Sequence, residues 1–483
     1  MNKLLAGMKN EGRTANGALQ YNSTLDGVMD MFALGAAYRQ RSDADVINLF
    51  QKAWNEDKNL ALKCLFYIRD ILDGQGERRF FRVCMTWLGN NYPNIVTELI
   101  PEITVTGIGR WDDLYALVGT RAERAAMVYF ATALVTDFRA TTHPSLAGKW
   151  AKSVNCSSSE SRRLGQLTAQ YCHMSEPQYR RMLSNLRKRI NIVERLMSQG
   201  KWDEIEFDKL PSHAGLQYKA AFKLHCGKRY EEFASNKETK VNAKALYPYD
   251  VVKKARELPF ISDITDRQIV NKYWDNLTDY FNGMTLNALA VCDTSGSMTW
   301  SGGSIVPIDV AISLALYCAE RAKGPFANHY ISFSHTARLI ETKGRDFVEK
   351  VENIYRTNLC ENTNLDSVFQ LVLNTAIQYH LKQSDLPETL IIISDMQVDA
   401  GASYRGHIMD HWRETYQHYG YTMPKLVWWN VNASQDTILD RDDGATLVSG
   451  ASPVIFEMIL SGKTGRDLML EKLNSKRYER IHV

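Results

Sequence analysis

Leu286-Asn287-Ala288-Leu289-Ala290-Val291-Cys292 runs directly into Asp293-Thr294-Ser295-Gly296-Ser297-Met298, and this junction decides the reading of the chain. The almost wholly apolar first half describes a strand buried on both faces, the kind found inside a parallel sheet. The polar half places a carboxylate and two hydroxyls, Asp293, Ser295 and Ser297, on one tight loop at the strand's carboxyl end, with Gly296 expected to let the backbone turn. All are hard oxygen donors, suited to Mg2+ or Mn2+ and not to zinc.

Outward from this loop the pattern repeats. Apolar strands are expected at 330–333, 390–394, 425–431 and 445–448, with helices near 308–322, 345–355, 365–381, 404–418 and 453–461. Such alternation implies a mostly parallel sheet covered on both faces, with ligands beyond the carboxyl ends of its strands. Asp395 follows the strand at 390–394 and Thr363 precedes the helix at 365, so both are expected on the edge that carries Asp293. The candidate metal ligands are therefore Asp293, Ser295, Ser297, Thr363 and Asp395; a plain polar turn is the bland alternative for the Asp-Thr-Ser-Gly-Ser run alone.

Catalysis is not expected there. An aspartic protease needs an all-β setting and a second such aspartate, and Ser295 lacks the G-x-S-x-G elbow of a hydrolase. His407 and His411 have chelating spacing, but no third ligand accompanies them, and a solvated helix face is the expected reading. Trp428-Trp429 reads as core.

Residues 1–280 read as helix after helix, an α-helical array without a strict repeat period, and 285–483 as the α/β domain. Glycines at 74 and 76 mark a helix end, Trp111-Asp112-Asp113-Leu114 a helix start, and Ser157 with Glu160 and Ser175 with Gln178 have capping-box spacing. The net charge of +3 hides an asymmetry: −1 over 1–138, +10 over 139–230, −1 over 231–284 and −5 over 285–483. The basic block invites a polyanion.

Within that block a helix is expected over 178–197. Leu183, Leu186, Ile190, Val193 and Leu196 form its buried stripe, and Arg180, Ser184, Arg187, Asn191 and Arg195 lie opposite, flanked by Lys188 and Arg189. Lys149, Trp150, Lys152, Arg162 and Arg163 precede it, near serines able to hold phosphate, with Trp150 able to stack on an unpaired base. The candidate RNA-binding residues are thus Lys149, Trp150, Lys152, Arg162, Arg163, Arg180, Arg187, Lys188 and Arg195, extended by Lys219, Lys223, Lys228 and Arg229. An ordinary solvated face is the alternative.

The five oxygen-bearing residues match the metal-ion-dependent adhesion site of von Willebrand factor type A domains. The wider chain resembles the TROVE plus von Willebrand type A architecture of the Ro family, and more closely a related bacterial, plant and phage family. Asn16-Gly17-Ala18, Phe66-Tyr67-Ile68-Arg69-Asp70, Gly74-Gln75-Gly76-Glu77-Arg78, Gly109-Arg110-Trp111-Asp112-Asp113, Lys149-Trp150 and Trp202-Asp203-Glu204-Ile205 carry this resemblance. It implies HEAT-like helical repeats closed into a ring by a Rossmann-like von Willebrand domain, bound Mg2+, and RNA as the partner, without enzymatic activity. In the type A family a partner's carboxylate often completes the metal's coordination, so a protein-docking scaffold is the alternative function.

Composition agrees with a folded chain: 45% hydrophobic and 23% charged over 483 residues. No stretch reaches the length of a membrane span, the N-terminus turns polar early, and the 8 cysteines are scattered without a C-x-x-C pair. A cytoplasmic protein without a membrane partner is expected.

Overall fold

The computed structural model describes residues 7–105, 107–190, 192–259, 263–281, 283–299, 305–333, 335–357, 363–399, 407–436, 438, 446–463 and 465–483. Asn191, assigned above to the basic face, lies outside them.

The chain opens with a short antiparallel hairpin, β1 (Glu11–Arg13) and β2 (Leu19–Tyr21), where only helices were expected. Helices then follow one another from Gly27–Leu34 to Ile264–Asp275. Their ends obey local rules. Ser42 and Asp45 form a capping box for Asp43–Glu56, and Ser175 and Gln178 do the same for Glu176–Arg189. The cap of Ser159–Tyr171 falls on Ser158, one residue later than the spacing implied.

The helix expected over 178–197 is two. Glu176–Arg189 stops, Ile192 adopts an extended conformation, and Val193–Ser198 starts afresh. Val193 and Leu196 are still buried, so the apolar stripe continues across a break that periodicity does not register.

From Ala288 onward the chain builds a six-stranded sheet in the order β5-β4-β3-β6-β7-β8: β3 (Ala288–Asp293), β4 (His329–Phe333), β5 (Ala337–Glu341), β6 (Thr389–Ser394), β7 (Lys425–Asn430) and β8 (Thr446–Ser449). All neighbours are parallel except β4 and β5. The antiparallel edge strand β5 was not foreseen, because it is half exposed, with Leu339 55% accessible, and lacks a continuous apolar run. β3 and β6 are buried almost throughout, and Trp428 and Trp429 are core, Trp429 donating its indole N–H to the Gly450 carbonyl at 2.8 Å.

The helical array begins and ends on this sheet module. At its start, the wholly buried helix Gly27–Leu34 packs against β8, the Ala433 amide donates to the Ala37 carbonyl, and Arg41 donates to the Ser434 carbonyl at 2.9 Å. At its end, Trp274 stacks on Phe347 with ring centres 4.1 Å apart, Arg267 pairs with Asp346 and Glu352, and Arg256 pairs with the buried Asp309. The two ends also meet: the Tyr247 hydroxyl donates to the Ile71 carbonyl at 3.3 Å.

That meeting point is the turn after helix Lys58–Arg69. The Gln75, Gly76 and Glu77 amides donate back to the Tyr67, Asp70 and Ile68 carbonyls. Gly76 has φ +65°, which only glycine adopts cheaply, and a Cβ on Gly74 would lie 1.9 Å from the Tyr67 carbonyl oxygen. Gly74→Ala is therefore expected to cost about 2 kcal/mol through forced displacement of that backbone; urea unfolding checks it, and a cost near zero contradicts the packing described.

Candidate metal centre and basic groove

β3 delivers Asp293 to the sheet's carboxyl edge, fully buried. Its Oδ1 accepts from the Ser295 amide at 2.9 Å, which folds the loop back over the strand end, and its Oδ2 accepts from the Ser394 hydroxyl of β6. The Ser295 and Ser297 hydroxyls lie 3.2 Å apart. Asp395, one residue past β6, accepts from the Ser297 hydroxyl and from the Gln397 amide. Asp293, Ser295, Ser297 and Asp395 thus meet at one point. Thr363 is buried, and its carbonyl accepts from the Asp399 amide at 2.9 Å, on the loop that leaves Asp395.

Two details differ from expectation. Gly296 has no positive φ and open space where a Cβ would sit, so the turn does not depend on glycine there. The left-handed residue is instead Met396, at φ +63°, which costs a non-glycine residue about 1 kcal/mol. Its amide donates to the Ser394 hydroxyl at 3.0 Å, so the same serine fixes both this conformation and Asp293.

Burial first, and then the charge of Asp395, push Asp293 up to about 7; burial raises Asp395 as well. Neither carboxylate has a lysine or arginine partner among the described residues. Two facing, buried acids repel unless a cation lies between them, and this set of carboxylates and hydroxyls fits a hard divalent ion. Ser297 is the exposed member, so the site opens on its side. No cluster of three His, Cys, Asp or Glu side chains occurs among the described residues. His407 does not lie on a solvated face but stacks on Tyr21, centres 4.2 Å apart.

The N-terminal loop between β1 and β2 docks on this rim, a contact that sequence reasoning did not find. Thr14 Oγ1 donates to the Val398 carbonyl at 2.7 Å, the Ala15 amide to Gln397 Oε1 at 2.8 Å, and Asn16 Nδ2 to the Gln397 carbonyl at 2.7 Å. Asn16-Gly17-Ala18 entered the sequence reading only as part of a resemblance; nothing in its composition points to a partner 381 residues away.

The basic candidates separate into several kinds. Arg180, Arg187 and Arg195 line one groove of about 700 Å³ with Arg181, Ser184 and Asn155. Arg187 is also structural: its guanidinium donates to the Gly148 and Ala151 carbonyls and to Ser153 Oγ at 2.8–3.0 Å. Arg163 pairs with Glu160 on the surface, and Arg162 donates to the Ser157 carbonyl at 3.3 Å. Lys188 is exposed; Lys149 and Lys152 are half-buried. Trp150 is already stacked, with Arg110 3.9 Å above its ring and Lys149 at 5.4 Å. The proposed downstream extension is largely neutralised: Lys219 and Lys223 pair with Asp266, and Arg229 donates to the Trp202 and Ile205 carbonyls.

Arg110 leads to charge that the sequence reading missed. Arg69, Arg82 and Arg110 share Asp112 and Asp113, and Arg78 stands against them, lowered from its ordinary value by loss of solvent and by Arg110, Arg69 and Arg82. The motifs containing Arg78 and Arg110 were visible; their convergence was not.

A family model described as a domain of unknown function, DUF2828, matches residues 14–128 and 154–283. A curated relative, uncharacterized protein L728 of Acanthamoeba polyphaga mimivirus, is 30% identical over 506 aligned residues, covering 94% of this chain and 86% of that protein. The chain belongs to the DUF2828 family. In this DUF2828 protein a second domain of unknown function, DUF7788, matches residues 287–480, the part that contains the sheet. Among solved structures, the Ro (RSR) protein of Deinococcus radiodurans is similar at a TM-score of 0.35 and 13% identity, over 91% of this chain and 94% of that one.

Proposed function

We propose that this chain is a non-enzymatic, cytoplasmic RNA-binding protein with a TROVE-like array of HEAT-like helices and a von Willebrand type A-like module that holds Mg2+ or Mn2+ through Asp293, Ser295, Ser297, Thr363 and Asp395. The observation that carries the RNA reading is the groove at Arg180, Arg181, Arg187 and Arg195, whose lining contains a single carboxylate, Glu194. Serine and asparagine side chains fill the rest of its polar wall, a surface suited to phosphates. The bound cation would neutralise the buried carboxylates and fix the loop on which the N-terminal residues dock. Among the described residues the cysteines are unpaired and mostly buried, which accords with a reducing compartment.

If about three arginines neutralise phosphates, binding of a short polyuridylate should show a log–log salt slope near −2, a loss of roughly 20-fold between about 50 and about 200 mM salt. Filter binding checks this, and absence of binding at low salt sinks the reading. Arg180→Glu combined with Arg195→Glu is expected to remove most of the slope. The second reading, a scaffold docking a partner's acidic residue on the metal, rests on the exposure of Ser297. It requires that Asp293→Ala abolish a protein contact and leave RNA binding intact.

A further inference from the structure

A second groove, of about 900 Å³, lies on the other side of the helix Glu176–Arg189 and differs from the first in chemistry. One face of the helix Glu123–Arg139 forms its floor, with Arg124, Val128, Val135 and Arg139 spaced at helical intervals. Val128 is 47% and Phe138 40% exposed, an unusual pair of large apolar side chains to leave in water on one helix face. Arg181 faces them from across the groove, and Met174 adds a flexible apolar wall. Arg124, Arg139 and Arg181 are exposed and pair with no carboxylate among the described residues, and the lining contains no Asp or Glu.

We propose that this groove docks an amphipathic, acidic helix of a partner protein. An apolar stripe bounded by unpaired cations matches a helix with apolar anchors at i, i+3 or i+4 and i+7 and carboxylates along its flanks. The spacing of Arg124 and Arg139, fifteen residues along one helix, is about 22 Å and accommodates about four turns of a partner lying alongside. Carboxylates near those two arginines would be held at both ends while Val128 and Val135 cover the middle and Phe138 the Arg139 end. Charge complementarity favours an acidic occupant, and the apolar floor favours a helix over nucleic acid, whose phosphates would meet the arginines but leave Val128, Val135 and Phe138 uncovered. The RNA reading concerns the polar groove on the other side of the helix Glu176–Arg189; Arg181 lines both grooves, whereas Arg124, Val128, Phe138 and Arg139 line this one and not the other.

The test is display selection on the full-length chain with helix-biased random peptides about 16 residues long. Enriched peptides are expected to carry the apolar spacing with flanking Asp or Glu. Their affinity should fall several-fold for Val128→Asn and at least about tenfold for Arg139→Glu. Both positions are exposed, and circular dichroism verifies that each variant is folded. Failure to enrich any peptide, enrichment of peptides lacking acids, or undiminished binding to both variants overturns the proposal. A short polyuridylate is measured against the same proteins: if Arg139→Glu weakens RNA as strongly as Arg180→Glu does, the groove belongs to nucleic acid and the proposal fails.

Discussion

Replacing Asp293 by Asn is expected to raise the stability of the cation-free protein and to abolish its response to Mg2+. Asp293 is fully buried, and without a cation it faces the nearly fully buried Asp395. Asn has the same shape: its Oδ1 still accepts from the Ser295 amide, and the Ser394 hydroxyl can rotate to accept from its Nδ2. The substitution therefore removes the repulsion of two buried charges with little loss of packing. In the native chain a hundredfold excess of Mg2+ over its dissociation constant should add about 2.7 kcal/mol, and in Asp293→Asn close to nothing. Urea unfolding of both proteins, with Mg2+ and with chelator, reads all four values. An equal response to Mg2+ in both would mean that the cation binds elsewhere or not at all.

Sequence was a good guide where local pattern and burial coincide. β3 and β6 are continuous apolar runs buried inside the sheet; β3 ends in Asp293 and β6 is followed directly by Asp395, and the fold brings both to the same edge. It was a poor guide where tertiary contact decides. β1 and β2 are three residues each and contain Glu11, Arg13 and Gln20; they pair with each other, and the hairpin is anchored to distant segments by Tyr21 with Ile438 and Thr14 with Val398. Likewise the break after Arg189 leaves the apolar spacing intact. Charge summed along the chain misled in one respect: Lys219 and Lys223 raise the local total, but their acids come from Asp263 and Asp266, more than thirty residues on. A linear charge count registers neighbours in sequence, whereas Coulomb energy depends on neighbours in space.

Closure of the helical array on the sheet has an energetic consequence. The first helices meet β8 and the C-terminal segment, the last meet helices Pro307–Arg321 and Phe347–Thr357, so either interface alone would leave the opposite end of a long array unsupported. Unlike an open solenoid, in which each repeat relies only on its neighbours, this arrangement makes the two ends interdependent.

Asp70→Ala is expected to cost about 3 kcal/mol because it removes the centre of that closure. Asp70 is fully buried at the end of helix Lys58–Arg69. Its carboxylate accepts from both sides of the Arg477 guanidinium and from the Tyr478 hydroxyl at 3.1 Å, and it also caps the Leu72 and Asp73 amides. Losing one partner of a buried pair leaves the other desolvated without compensation, worth about 3–5 kcal/mol; the partial exposure of Arg477 places the effect near the lower limit. Asp73 supplies the control, since it lies 3.8 Å from the same guanidinium but is half exposed, and Asp73→Ala should cost under about 1 kcal/mol. Because the loss at Asp70 falls on the docking of residues 476–483 against the first helices, limited proteolysis should clip the C-terminus of Asp70→Ala before the rest of the chain yields. Pairing the substitution with Arg477→Ala should cost less than the sum of the single changes, as the orphaned cation is then absent. If Asp70→Ala and Asp73→Ala cost the same, the ion pair is not what holds the C-terminal segment on the first helices, and closure must rest on the other contacts, among them helix Gly27–Leu34 on β8 and Trp274 on Phe347.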